Sequence, residues 1–484
     1  MTGSAVTTVP ASASPTDPCL SALSETLGAD LFVRDEDARA ACLRDMTGNW
    51  PSGAQAVARP RSTAEVARLV QAAAAQGIAI VPQGGNTGLV GGCAVPAETP
   101  ALLLSTRRLR SIRAIDLHAP AVIAEAGCIL AEVQEAVAAH GFTIPLGLGS
   151  EGSATIGGLV STNAGGIRAL RHGVMRNQVL GLEVVLPDGR VWNGLRTLAK
   201  NNMGYDLKQL FIGGEGTLGV VTAAALRLVP ASRQIETLWL AVEDPAAALA
   251  LLGALRTALG DLVTSFELIQ RRGVEWGMAA VPGLRVPDSG AHGWFVLAEV
   301  ATAATGLPLR AAVEAALADV FEQGLALDGM LAESEAQRRE LWRIREAVVV
   351  GKAAGKPSIS VDVAVPLGQV PAFLVETEAA AAGLLPGCET LGFGHLGDGN
   401  IHFSVHRGAN DTERFAGTAE AIAAKVEAIA LRLGGTICAE HGVGRRMRAA
   451  VADALDAAEL DLIRAVKRAL DPHNRMNPGA VIEL

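Results

Sequence analysis

Four clusters of glycine fall between Pro82 and Gly219: Pro82-Gln-Gly-Gly-Asn-Thr-Gly88 running on to Gly91-Gly92, Gly147–Gly158, Asn163-Ala-Gly-Gly166, and Gly213-Gly-Glu-Gly-Thr-Leu-Gly219. Glycine lets backbone N–H groups approach an anion closely and curl around it, so loops of this kind suit a pyrophosphate, although each alone would read as an ordinary turn. Their density, in a stretch that mixes short Val/Ile/Leu runs with alanine-rich pieces, points to a large phosphate-bearing cofactor. Gly147-x-Gly149-x-x-Gly152 and Gly214-x-Gly216-x-x-Gly219 both match a dinucleotide fingerprint. Neither is followed by the amphipathic helix whose N-terminus would receive the pyrophosphate. A triphosphate loop would need a lysine–serine pair, and none follows these glycines.

The chain has 484 residues, 50% hydrophobic and 19% charged, enough for two or three domains with real cores. Its 41 basic and 50 acidic residues give a formal charge of −9. With no polybasic run either, nucleic acid is disfavoured as a partner. Six cysteines are scattered without a C-x-x-C pair, which fits a reducing compartment better than a disulfide scaffold. No uninterrupted apolar run approaches the ~18 residues of a membrane span, and the first positive charge is Arg34, so a signal or transit peptide would lack its charged start. The expected location is the cytoplasm, with peripheral membrane contact left open.

Residues 1–19 are small, polar and proline-containing and read as a disordered lead-in. From 20 to 230 short strands (IAIVP, VIAEAG, LEVVLPDGRVW, VVTAAALRLVP) alternate with helical pieces such as Ala64–Gln76 and Leu130–His140, a texture of the α+β or α/β class. From 231 to 472 longer alanine and leucine helices (Pro245–Leu259, Pro308–Gln323, Glu413–Leu433, Asp456–Leu470) are separated by WFVLAEVA, SISVDVAVP, ETLGFGH and IHFSV. Residues 473–484 are too short to fold alone and must dock on the rest.

The segment Gly392-Phe-Gly-His395-Leu-Gly-Asp-Gly-Asn-Ile-His402 carries two histidines seven apart. On one straight strand they would face opposite ways, but Gly397-Asp398-Gly399-Asn400 is a turn signal that folds the chain back and makes the imidazoles cross-strand neighbours. His406 lies too far along to join the same ion and reads as a surface or packing residue. A third ligand is needed, and Cys438-Ala-Glu440-His441-Gly-Val-Gly444 offers a carboxylate beside another histidine in a glycine-flanked bend. Three protein ligands leave the open position of a catalytic metal. Nitrogen and oxygen donors do not by themselves choose among zinc, manganese and iron.

Together these segments resemble a known family. Pro82–Gly88, Ser153-Ala-Thr-Ile-Gly-Gly158 with Asn163-Ala-Gly-Gly166, Phe211–Gly219 and Asn477-Pro-Gly479 resemble the flavin-binding segments of vanillyl-alcohol oxidase type flavoproteins. The second half is similar to their FAD-linked oxidase C-terminal domain, in the D-2-hydroxyacid dehydrogenase branch that includes D-lactate and D-2-hydroxyglutarate dehydrogenases. The resemblance runs in order from about Asp45 to the C-terminus. It implies an α+β fold: a two-part FAD-binding domain (20–230), an α+β cap domain for substrate and metal (231–472), and a C-terminal segment docking back on the flavin site (473–484). It also implies that Gly84, Gly85, Asn86, Thr87 and Gly88 hold the FAD pyrophosphate. Gly149, Ser150, Ser153, Thr155, Gly158, Asn163, Gly165, Glu215, Gly216 and Val220, with Asn477, would line the rest of the flavin. Histidine is absent from the Pro82–Gly88 loop, so noncovalent FAD is expected.

The resemblance further makes His395, His402 and Glu440 ligands for zinc or another divalent metal, and His441 the general base. Guanidinium binds a carboxylate through two parallel hydrogen bonds, and in Leu341-Trp-Arg-Ile-Arg-Glu346 the family position selects Arg345 over Arg343 for the substrate carboxylate. The implied reaction is oxidation of a D-2-hydroxy acid to the 2-oxo acid, with FAD taking the hydride and electrons passing to an external acceptor: flavoprotein, cytochrome or quinone. A homodimer is compatible with this reading. The alternatives are a flavin oxidase using oxygen, D-2-hydroxyglutarate dehydrogenase proper, or a NAD-dependent or non-catalytic nucleotide binder. Relatives acting on the diacid offer a threonine, a lysine and an asparagine where this chain has Val349, Ser360 (in Ser358-Ile-Ser-Val-Asp362) and Ser404. These departures favour D-lactate or another monoacid, unless Lys352 or Lys356 substitutes for the missing lysine.

Overall fold

Why the chain breaks where it does is visible at the helix ends. Asp244 caps Pro245–Leu259 by accepting from the Ala247 amide, proline fills the first turn, and Gly260 closes it at φ 62, the side chains that helix termini require. Ser62 and Ser334 cap Thr63–Ala75 and Glu335–Ala353 in the same way. The computed structural model describes residues 18–484 apart from 97, 288–289, 291, 355–356 and 409–411. Most of the expected lead-in therefore lies outside the described residues. Pro18 and Cys19 do not belong to it, because they open the helix Pro18–Leu27.

Four sheets organise the described chain. A three-stranded parallel sheet has Ala101–Ser105 between Ala56–Ala58 and Ala79–Gln83. A five-stranded antiparallel sheet follows the order Ile112–Asp116, Ala121–Glu125, Val220–Arg227, Val179–Val185, Val191–Gly194, and Val229–Pro230 pairs with Phe142–Thr143. The seven-stranded antiparallel sheet draws every strand from Gln234 onward: Asp328–Leu331, Gln234–Val242, Trp294–Thr302, Val263–Gln270, Glu389–Gly394, Asn400–His406, Ser358–Ala364. At the C-terminus Met476 bridges Ile80 in parallel, and Asn477 donates its amide to the Ile80 carbonyl. The last segment thus extends the three-stranded sheet at the edge that ends in the glycine loop.

The two faces of the seven-stranded sheet differ. Alternate residues Phe266, Leu268, Val361, Val363, Ile401, Phe403 and Val405 join one large apolar cluster with the flanking helices. The opposite face carries Glu267, Asp362, His402, Ser404 and His406 at the intervening positions, as strand alternation dictates. Part of that face lies under Glu335–Ala353 and Arg271–Ala280, which pack around Ile269, Leu391 and Phe393. Pro245–Leu262 is long and apolar enough by length and composition to cross a membrane. Its Ala248, Leu251, Leu252 and Leu255 instead pack into the larger cluster.

Candidate active site

A cavity of about 520 Å³ opens between the glycine loops. Gly84, Gly85, Asn86, Thr87, Gly88, Gly149, Ser150, Thr155, Gly158, Gly165, Glu215, Gly216 and Val220 all border it, and two of these glycines are packed too tightly for a side chain. A Cβ on Gly85 would lie 2.2 Å from the Ser153 carbonyl oxygen, and one on Gly84 would lie 2.4 Å from Thr155 Oγ1. Thr155 Oγ1 is itself buried without a hydrogen-bond partner, a donor facing the space a ligand would fill. Three expected lining residues stand off the wall. Ser153 Oγ turns back to the Ser150 carbonyl, Asn163 sits at φ 51 and accepts from the Arg176 amide, and buried Asn477 donates to the carbonyls of Gly92 and Glu215. They shape the loops from behind. The cavity also reaches Gly91-Gly92 of the first glycine cluster and, beside them, Val90 and Cys93, which the sequence reading did not place at the site.

Glu215 ties this cavity to the histidine cluster. Its backbone is held at φ 46, a conformation costly for a non-glycine residue. From there the carboxylate accepts hydrogen bonds from the amides of Val443 (2.7 Å) and Gly444 (2.9 Å). Burial pushes the Glu215 carboxyl up to about 7 despite those amides. The bend it holds carries Glu440 and His441, which border the same cavity as the glycine loops, as does Val349.

The turn through Gly399, at φ 82, folds Asn400–His406 back on Glu389–Gly394 as expected. The residue opposite His402 is Phe393, not His395. His395 lies just past the strand end and meets His402 diagonally, ring centroids 5.5 Å apart at 81°. One donor atom from each of His395, His402 and Glu440 lies within 4.8 Å of the others. His395 Nε2 is 3.5 Å and His402 Nε2 3.8 Å from the two Glu440 oxygens. Each imidazole is turned by a second carboxylate: His395 Nδ1 lies 2.5 Å from Glu267 Oε1, and His402 Nδ1 lies 3.2 Å from Asp362 Oδ1. A carboxylate on the far nitrogen fixes the tautomer and aims the near nitrogen, the usual support of a metal-binding histidine. The donor set fits a divalent ion.

Asp362 does more. Its Oδ1 also accepts from Asn400 Nδ2 (2.8 Å), while Oδ2 accepts from the Glu440 amide (3.1 Å) and faces His441 Nδ1 at 3.3 Å. One carboxylate thus orients His402, His441 and the Glu440 backbone. Burial opposes its charge, but His402 and His441 outweigh it and hold the Asp362 carboxyl well below the usual range. Glu267 is fully buried, yet His395 and Arg345 likewise hold it low. The Glu267 partner in turn raises the proton affinity of the His395 imidazole against the penalty of burial, and a divalent ion would have to displace that proton. Arg345, buried, gives its Nε to Glu267 Oε2 at 2.7 Å. The terminal fork of the guanidinium has no acceptor among the described residues.

Glu267 and Asp362 were not picked out from the sequence. Their signal was there, an acidic residue flanked on both sides by apolar ones within a strand, but nothing in the sequence says which histidine each would meet. Ser360 pairs with Ser404 across the ladder. Ser404 is fully buried with its hydroxyl 3.0 Å from His406 Nε2, so it forms no wall of either cavity, contrary to expectation. His406 is a buried packing residue against Trp276, 4.4 Å between ring centroids. Lys356 lies outside the described residues.

Residues 231–481 match the family described as FAD linked oxidases, C-terminal domain, and residues 54–194 match the FAD binding domain. The chain is 36% identical over 443 residues to D-2-hydroxyglutarate dehydrogenase of Xanthomonas citri pv. viticola, covering 91% of this chain and 92% of that one. It is 35% identical over 458 residues to a probable mitochondrial D-2-hydroxyglutarate dehydrogenase of Oryza sativa subsp. indica, covering 94% and 80%. In fold it is similar to p-cresol methylhydroxylase with substrate bound, at TM-score 0.72 and 16% identity over 96% of each chain.

Proposed function

The chain belongs to the FAD-linked oxidases of the vanillyl-alcohol oxidase type, D-2-hydroxyacid dehydrogenase branch, and is an FAD-dependent dehydrogenase of a D-2-hydroxy acid; on that premise we propose how its residues do the work. The observation that carries the proposal is that one cavity runs from the glycine loops to Glu440 and His441, so flavin and reacting carbon share a space.

FAD, held noncovalently by Gly84–Gly88 and the loops opposite, supplies the hydride acceptor that side chains lack. Noncovalent binding is supported by Cys93, the cysteine that borders the cavity, whose thiol burial pushes up to about 11. A thiol that stays protonated is a poor nucleophile. A divalent ion at His395, His402 and Glu440, zinc by preference, would make the substrate hydroxyl more acidic. His441 then removes the hydroxyl proton at Nε2, because Nδ1 faces Asp362 and keeps its own hydrogen there. Arg345, fixed by Glu267, presents its terminal fork to the substrate carboxylate. Electrons leave to an external flavoprotein, cytochrome or quinone. The unpaired cysteines among the described residues support a reducing compartment, the cytoplasm.

Two readings of the substrate's side chain each have an observation behind them. Val349 and Ser360 in place of a threonine and a lysine support D-lactate or another monoacid; the printed names of the relatives support the diacid. The overall proposal is tested on the purified, yellow protein under anaerobic conditions. A D-2-hydroxy acid should bleach the flavin band, and the L-enantiomer should not. A flavin that no 2-hydroxy acid reduces would end the proposal.

A further inference from the structure

Of the two lysines left open as substitutes for the missing one, Lys352 lies on the same helix as Arg345. In the helix Glu335–Ala353, Arg345 and Lys352 are seven apart, two turns along the same side. Both cations lie over the ring of Phe393: the guanidinium carbon is 4.8 Å from its centroid and the Lys352 nitrogen 5.7 Å. His402 sits against the same ring at 5.2 Å. A single aromatic plate carries the clamp arginine, a histidine of the metal cluster and a lysine.

Lys352 is largely withdrawn from water, and burial holds its ammonium below the ordinary lysine range, with Asp362 pulling the other way and Arg345 adding to the effect. Asp362 has no oxygen to spare, since Oδ1 is taken by His402 and Asn400 and Oδ2 by Glu440 and His441. Among the described residues no carboxylate or carbonyl accepts a hydrogen bond from the Lys352 nitrogen. The side chain borders a second cavity of about 170 Å³ beside Trp276, Gly351 and His406, while Val349, one turn earlier on the same helix, borders the cavity of Glu440 and His441. A desolvated cation without a counter-ion is costly, and a ligand carboxylate that supplies one is correspondingly favoured.

We propose that Lys352 is a specificity-determining residue, its ammonium receiving the distal carboxylate of a D-2-hydroxy diacid whose first carboxylate is held by Arg345. Two cations over one ring lie no more than about 10.5 Å apart. A short diacid bridges that span once about 2.8 Å is allowed for each charge-assisted hydrogen bond. The positive charge comes from the helix over the sheet, where Ser360 on the strand supplies none. This rests on the dehydrogenase reading above and selects between its two substrates.

The test compares specificity constants of flavin-loaded enzyme for D-2-hydroxyglutarate and D-lactate, in the wild type and in K352M, K352Q and K352R. The wild type should prefer the diacid by on the order of 10²-fold. K352M and K352Q should collapse that ratio, mostly through KM for the diacid, and K352R should keep it within about tenfold of the wild type, as loss and restoration of one ion pair would. Wild-type turnover of D-lactate with no preference for the diacid overturns the role of Lys352 and leaves the dehydrogenase intact, without needing any variant to fold. A preference that survives both neutral variants overturns it too. Wild-type flavin that neither acid reduces overturns the dehydrogenase reading, and this proposal with it.

Discussion

The glycine loops border the large cavity, the polar sheet face stands behind the Glu440–His441 bend that meets them there, and the two regions are built from opposite materials. At Gly84 and Gly85 what matters is the absence of side chains: Thr155 and Ser153 already occupy the room a Cβ would need. On the sheet face the material is side chain, and the candidate groups are held by acids largely withdrawn from water, Glu267 for His395 and Arg345, Asp362 for His402 and His441. The first region binds by letting a ligand come close to amides. The second works by fixing direction and charge, because a buried carboxylate partner sets a tautomer that an exposed one would leave free. The lesson is that the two halves should fail differently.

The largest effects come from breaking one half alone. G85A, which would press a methyl against the Ser153 carbonyl, should give a colourless protein that still binds a divalent ion. H395A or H402A should give a yellow protein without the ion and should match wild type treated with a chelator. Elemental analysis and the visible spectrum read the two outcomes on the same sample, and loss of both ligands together in either variant would erase the distinction between the halves.

Next in size, H441A should keep flavin and metal yet lose roughly 10²–10⁴ in turnover, the range for removal of a single general base. Near-native turnover would reassign the proton to another group. Smaller still, E267Q and D362N should weaken metal affinity by roughly 10- to 100-fold, as loss of a ligand's supporting partner does. D362N should also lower turnover at saturating metal, since Asp362 faces His441 as well as His402; titration with the metal separates the two contributions.

The smallest effect sits at the seam. Folded Glu215 keeps its proton up to about 7 against an ordinary value of 4.5. Between those values the folded chain therefore binds more protons than the unfolded one, and this group's contribution to stability falls as pH rises through the window. E215Q has no proton to lose there. The Tm of wild type relative to E215Q should therefore decline across that window, and a flat difference would show that Glu215 is ionised throughout.

How much of this was legible beforehand follows the same division. Glycine has one physical meaning at close approach, so Gly84, Gly85, Gly158 and Gly216 were identifiable from density and order. The turn at Gly397–Asn400 and the helix limits at Pro245 and Leu259 were legible for a similar reason, since φ preferences and capping act within a few residues of sequence. Ser153, Asn163 and Asn477 had the right segments but the wrong facing, because which side of a loop points at the cavity depends on what packs behind it.

The sequence by itself determined the class of fold and the order of the FAD-binding segments, and its family resemblance singled out His395, His402, Glu440 and His441 as candidates, for glycine chemistry and chain order suffice there. Only the tertiary structure decided that Glu267 and Asp362 aim them, that Ser404 turns to His406, and that Lys352 shares the Phe393 ring with Arg345. Those are contacts between strands and helices far apart in the chain. A side chain's charge is written in its residue type, but its partner is fixed by strand register and by the helix laid over the sheet, neither of which is encoded near the residue itself.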